Sequence, residues 1–153
     1  RLSANYNPDS IRTDTSYFQE DWYGALYYDM RPVRKGNEVF WMILGIDYGN
    51  PAITRKVIDV LSFDDADRPV FGKKWFDTGT EVKYREVLEY SFTAVISLRF
   101  MSDKMIVFDH LVPISPEYLN NREFYGPDYS YDAYRFDKGT WHLRLDVDAR
   151  NKE

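Results

Sequence analysis

From Trp22 onward, apolar residues recur at every second position in short runs that end at clusters of Gly, Pro, Asn and Asp. A period of two belongs to a half-buried strand, and turn-forming residues at each break mark reversals of chain direction. No segment sustains the period of a helix. The run over 81–90 is the cleanest: Val82, Tyr84, Leu88 and Tyr90 share one face, while Glu81, Lys83, Arg85 and Glu89 share the other. Residues 38–48 are apolar on both parities, as in a central strand covered on both faces, and Gly45 within them marks a bulge or bend. Further strands are predicted at about 22–33, 54–63, 70–76, 94–101, 105–112, 128–137 and 140–148.

These nine strands are joined mostly by short loops, so sequence neighbours are expected to pair as an antiparallel meander. An up-and-down barrel and a two-layer sandwich both satisfy the pattern. Closure removes sheet edges and favours the barrel. The longest loop, 113–127, carries Pro113, Pro116 and Pro127 and one expected helical turn at 117–120. The predicted core comprises Phe40, Ile43, Val57, Val60, Leu88, Leu98, Ile106, Phe108 and Trp141. Residues 1–21 are polar without a period and read as an arm or linker, with a strand added to the sheet edge as the alternative. Residues 22–150 read as a single all-β domain.

Composition supports sheet and narrows the function classes. The 153 residues include 13 Tyr, 10 Phe and 4 Trp, side chains that fit pleated surfaces. The net charge of −5 gives no electrostatic reason to bind nucleic acid or an anionic membrane. No run of 18 apolar residues exists to span a bilayer as a helix. The absence of cysteine excludes disulfides, thiolate metal sites and a cysteine nucleophile. No cofactor motif is present. The start at Arg1 reads as a processed product or a fragment.

Several stretches are shared with a known kind of domain. They are the tyrosine-rich 27–29, the aromatic-apolar 40–47 ending in Gly-Ile-Asp, the 55–63 run Arg-Lys-Val-Ile-Asp-Val-Leu-Ser-Phe, and Arg-Pro-Val-Phe-Gly at 68–72. Leu-Glu-Tyr at 88–90, Asp-His-Leu-Val-Pro at 109–113, the Tyr-Gly-Pro-Asp stretch at 125–132 and Gly-Thr-Trp at 139–141 complete the set. In this order they resemble a domain of uncharacterised exported proteins of Bacteroidota, over about residues 22–148. The resemblance carries no assigned activity. It implies an exported protein, periplasmic or associated with the outer membrane, and it implies that 1–21 is the end of a linker.

Each chemistry-bearing residue also has a structural role open to it. Asp109 and His110 are adjacent on a strand, so they face opposite ways and cannot form a dyad with each other. Asp109 lies between Val107 and Leu111, where a carboxylate needs donors, from the loop after Pro113 or from an arginine. No Gly-x-Ser-x-Gly turn marks a hydrolase nucleophile. Two histidines without cysteine do not make a standard zinc site, and the Asp64, Asp65, Asp67 turn lacks calcium-loop spacing. Asp128 and Asp132 are the best carboxylate pair for glycoside hydrolysis, with His110 in the same cleft.

The leading candidate is the stretch 124–136, which holds six aromatics and two carboxylates. Tyr125, Asp128, Tyr129, Tyr131, Asp132 and Tyr134 are its candidate binding residues. Tyr131 and Tyr134 differ in parity, so a bulge is expected between them. A tyrosine offers an apolar face and a polar tip, suited to docking a protein or stacking a sugar. The same rings also serve as core. The reading is a non-enzymatic envelope module that binds another envelope protein through an aromatic-acidic surface. The alternatives are a carbohydrate-binding module and a hydrolase with paired carboxylates.

Overall fold

Two six-stranded sheets face each other in the computed structural model, which describes residues 10–148. The fold is all-β. The only helical segments among the described residues are three 3₁₀ turns of three residues each. The first sheet runs in the order β1 (Tyr17–Phe18), β5 (Pro69–Phe71), β4 (Ile53–Phe63), β3 (Glu38–Asp47), β2 (Leu26–Lys35). β4 is long enough to serve two partners. Its first part pairs with β8 (Glu86–Ser91) and its last three residues with β5. The second sheet runs β7 (Val82–Lys83), β6 (Phe76–Asp77), β12 (Thr140–Arg144), β11 (Tyr125–Asp137), β10 (Met105–Pro113), β9 (Leu98–Ser102).

Two curled sheets fit a sandwich or a barrel-like fold, and among the described residues no backbone ladder joins β2 to β9. Where the edges β2 and β9 approach, side chains join them. The Tyr28 hydroxyl donates to the Leu98 carbonyl at 2.7 Å, and Arg31 pairs with Asp103 at 2.8 Å. The meander is also interrupted. β6 and β12 pair in parallel, with Trp141 beside Phe76.

All nine predicted core residues are buried, but they divide between two cores. Phe40, Val60, Leu88, Leu98, Ile106, Phe108 and Trp141 lie between the sheets, with Met42, Leu44, Ile58, Phe76 and Tyr134. Ile43 and Val57 belong to a second cluster on the outer face of the first sheet, with Ile11, Trp22, Tyr23 and Phe71. That explains why β3 is apolar on both parities: it carries a core on each side.

The second cluster exists because residues 10–25 lie across the sheet. Ile11 is buried, and Tyr17 and Phe18 pair with Phe71 and Val70. Within the predicted arm 1–21, the described residues are thus part of the domain, and the edge-strand alternative holds for β1. Residues 1–9 lie outside the described residues. The single strand that alternation predicts over 81–90 is broken between Lys83 and Glu86, where the chain passes from one sheet to the other. Val82 is exposed as a result, and Arg85 is fully buried.

Trp141 sits at 0% exposure in the inter-sheet core against Phe136, so its removal leaves a void that β12 cannot collapse. Trp141→Ala is expected to cost roughly 3–5 kcal/mol in a denaturant melt. A midpoint equal to the parent's would contradict this packing.

Candidate functional site

The pairing of β10 with β11 is regular from Met105↔Arg135 to Asp109↔Tyr131 and resumes at Leu111↔Pro127. Between these points, residues 128–130 stand opposite His110 alone. The bulge lies here, three residues earlier than the parity switch predicts. Its cause is local. Pro127 lacks an N–H, and the Asp128 Oδ1 accepts the backbone N–H of Ser130 at 3.0 Å and its hydroxyl at 2.6 Å, closing a tight turn. Tyr129, between them, is held at φ 68°, a conformation uncommon for a tyrosine.

The bulge lets His110 leave the ladder and meet a carboxylate. Its Nδ1 lies 2.6 Å from Oδ2 of Asp132. A carboxylate only accepts, so Nδ1 donates and the imidazole is fixed in one orientation. Oδ1 of Asp132 accepts the Asp146 N–H at 3.3 Å. Asp132 is buried, while the His110 side chain is 38% exposed. His110 therefore does face a carboxylate, from β11 and not from its neighbour in sequence.

This pair lines a cleft of about 200 Å³ between the sheets, walled also by Glu86, Leu88, Phe108 and Arg122. Each acid of the cleft is engaged. Glu86 accepts Lys83 Nζ and the Tyr134 hydroxyl, both at 2.7 Å, and the Val87 N–H at 3.1 Å. Burial, reinforced by the charge of Glu86, pushes the Tyr134 phenol far above its ordinary pKa. Asp109 accepts the Ser97 N–H at 2.6 Å and its hydroxyl at 3.0 Å, so its donors come from the segment before β9 and not from the loop after Pro113. Arg122 donates its Nε to the Glu89 carbonyl at 3.0 Å and lies 3.8 Å over the Tyr125 ring.

No serine, threonine or cysteine lines the cleft beside the His110–Asp132 pair. Asp128 is exposed on the bulge and, unlike Asp132, is not among the residues that line the cleft. Among the described residues, no group of three or more His, Asp or Glu is arranged to hold a metal ion.

The six candidate binding residues do not form one surface. Tyr125 and Tyr134 are core, because β11 lies between β10 and β12 with the inter-sheet core on one face. The Tyr125 hydroxyl accepts the Asn120 N–H at 2.9 Å, tying the long loop down. Tyr131 packs on a small outer cluster of Met105, Val107 and Ala133. Asp132 belongs to the cleft. Only Asp128 and Tyr129 project from the bulge, Tyr129 with 85% exposure.

Exposed apolar surface concentrates instead at one end of the sandwich. Two hollows flank the loop 48–52. One, of about 420 Å³, is lined by Trp22, Ala25, Leu26, Ile46 and Tyr48. The other, of about 370 Å³, is lined by Ala52, Phe92, Ala94, Ile114, Phe124 and Tyr125. Leu26, Tyr48, Phe92 and Ile114 stand exposed around them. The loop is fixed: Asn50 Oδ1 accepts the N–H groups of Ala52 and Ile53, and the Phe92 N–H donates to the Ala52 carbonyl at 3.2 Å. The only sequence signal for this end was apolar residues in predicted turns, Phe92 and Ile114 among them. Comparisons of the chain with protein-family models, with curated proteins and with solved structures found no match.

The engagement of Asp109 makes it an anchor of the segment before β9. Asp109→Ala leaves the Ser97 N–H without its acceptor and is expected to lower stability by roughly 1–3 kcal/mol. An unchanged melting temperature would contradict the structural role.

Proposed function

We propose that this protein is a non-enzymatic β-sandwich module of the bacterial cell envelope that binds another protein through the apolar end around loop 48–52. The observation that carries the reading is the pair of apolar hollows with Leu26, Tyr48, Phe92 and Ile114 exposed at their rims. Exposed apolar patches of this kind on a folded domain are typical of docking surfaces. The rim side chains are large, and the loop between the hollows is fixed by the hydrogen bonds of Asn50 and Phe92, so little backbone entropy is lost there when a partner covers it. This apolar end is a different surface from the aromatic-acidic one expected at Tyr125, Asp128, Tyr129, Tyr131, Asp132 and Tyr134. The envelope location rests on the resemblance to exported proteins. No helix among the described residues is long and apolar enough to cross a membrane.

Carbohydrate binding is the second reading, and one residue favours it. Tyr129 presents its ring to solvent from a positive-φ position beside Asp128, as a stacking platform would.

Capture from an envelope extract separates the two. Phe92→Ser and Ile114→Ser change exposed side chains, so folding should be retained. Each is expected to lose partner protein by about 2 kcal/mol or more of affinity, as for a central interface residue. Tyr129→Ala is expected to capture the same protein as the parent. Retention of polysaccharide that disappears only in Tyr129→Ala would overturn the protein-docking reading.

A further inference from the structure

We propose that the partner is recognised by a free C-terminal carboxylate, received by Arg122, with the apolar side chain before it in the hollow lined by Phe92, Ile114 and Phe124. The inference rests on the protein-docking reading and names the chemistry of the partner.

Arg122 is prepared for such a ligand. Its Nε–H is committed to the Glu89 carbonyl at 3.0 Å, and its guanidinium plane lies 3.8 Å from the centre of the Tyr125 ring. These two contacts fix the side chain, so little rotamer freedom remains to be lost on binding. No carboxylate of the described residues pairs with it, and its terminal N–H groups are unengaged. The other charges of the cleft are all committed. Glu86 is held by Lys83 and Tyr134, Asp109 by Ser97, and Asp132 by His110 and the Asp146 N–H. Arg122 is thus the one cleft charge, among the described residues, with donors to spare.

The shape of the fork and the charge of the surroundings select the ligand. A guanidinium with two free terminal nitrogens matches a carboxylate in bidentate fashion. Phosphate matches the same fork, but it brings more negative charge into a cleft that already holds three carboxylates, where like charges repel. A singly charged carboxylate suits the site better.

The second half of the inference is continuity. Tyr125 lines the apolar hollow, and Arg122 lies on its ring while lining the cleft. The Arg122–Tyr125 stack therefore stands between cleft and hollow, with one partner lining each. A chain whose carboxylate reaches Arg122 has to cross only that stack, at about 3.3–3.6 Å of chain per residue, for the side chain before it to enter the hollow of Phe92 and Ile114. Capture of a terminal carboxylate with an adjacent apolar side chain is a recurring mode of peptide recognition.

The test uses N-acetylated peptides with randomised last positions, prepared once as free acids and once as C-terminal amides, and passed over the immobilised protein. Retained peptides are read by mass spectrometry. Free acids ending in apolar residues are expected to be retained, and matched amides about tenfold less, a difference of about 1.4 kcal/mol. Arg122→Gln is expected to remove the preference for acids while keeping the melting temperature. If that variant melts early, Arg122→Lys, which keeps the charge and loses the fork, is read in its place with the same expectation of a weakened preference. Phe92→Ser is expected to reduce retention of acids and amides alike. Equal retention of acids and amides by the parent overturns the inference and leaves the docking end standing. So does an absence of retained peptides while Phe92-dependent capture from extract persists. Loss of both peptide retention and Phe92-dependent capture overturns the docking reading as well.

Discussion

An arginine buried beneath a polar segment holds this fold together. Arg85 and Asp59 are both fully buried, with Nε 3.0 Å from Oδ2. Removing two charges from water is costly, and burial pushes the Asp59 carboxyl above its ordinary pKa even with a guanidinium beside it. The pair survives because its remaining valences are filled. The Arg85 guanidinium donates to the carbonyls of Arg12, of Thr15 at 2.9 Å and of Phe71 at 2.9 Å, and the Tyr17 and Tyr23 rings lie 4.8 and 5.5 Å away. Asp59 also accepts the Tyr23 hydroxyl at 2.6 Å, which is joined to Tyr27 at 2.7 Å. Gly72, at φ 113°, packs against Arg85 and Ser16 where a side chain would collide. One cation thus binds the segment 10–17, β5 and β4 together, and the apolar cluster of Ile11, Trp22, Tyr23 and Phe71 forms beneath it.

The same crossing places the cleft. Arg85 turns to the outer face of the first sheet, so Glu86, next in the strand, turns inward. There it receives Lys83 and Tyr134 and forms one wall of the cleft that contains His110, Asp132 and Arg122. Three residues on, the Glu89 carbonyl holds Arg122. The start of β8 is therefore pinned from both sides, outward by a buried ion pair and inward by a hydrogen-bonded carboxylate. The geometry of the proposed recognition site follows from that double anchor.

Much of this was legible in the sequence. The period of two located most of the long strands, and apolar residues on both parities of 38–48 correctly implied cover on both faces. What that cover would be was not legible. Alternation assigned Arg85 to the face opposite Leu88, and the parity was right. The environment was misread because residues 12–16 bury it through backbone carbonyls, which leave no trace in a side-chain pattern. The tyrosines of 124–136 divide among three environments that parity alone did not assign: Tyr134 on the inter-sheet core, Tyr131 on an outer cluster and Tyr129 in solvent. Arg122 carried no signal beyond its place in the longest loop. The parallel contact of β6 with β12 joins residues too far apart in sequence for any local pattern to reveal.

Hydrogen–deuterium exchange on Arg85→Met reads directly whether Arg85 fixes the segment 10–25 to the sheet. Methionine keeps much of the volume and removes every donor, leaving Asp59 buried without its cation, a change that costs roughly 3–5 kcal/mol in comparable buried pairs. Protection is expected to be lost over residues 10–25 and β5, while β10 and β11 in the second sheet exchange last. Protection of residues 10–25 equal to the parent's, together with an unchanged melting temperature, would contradict it.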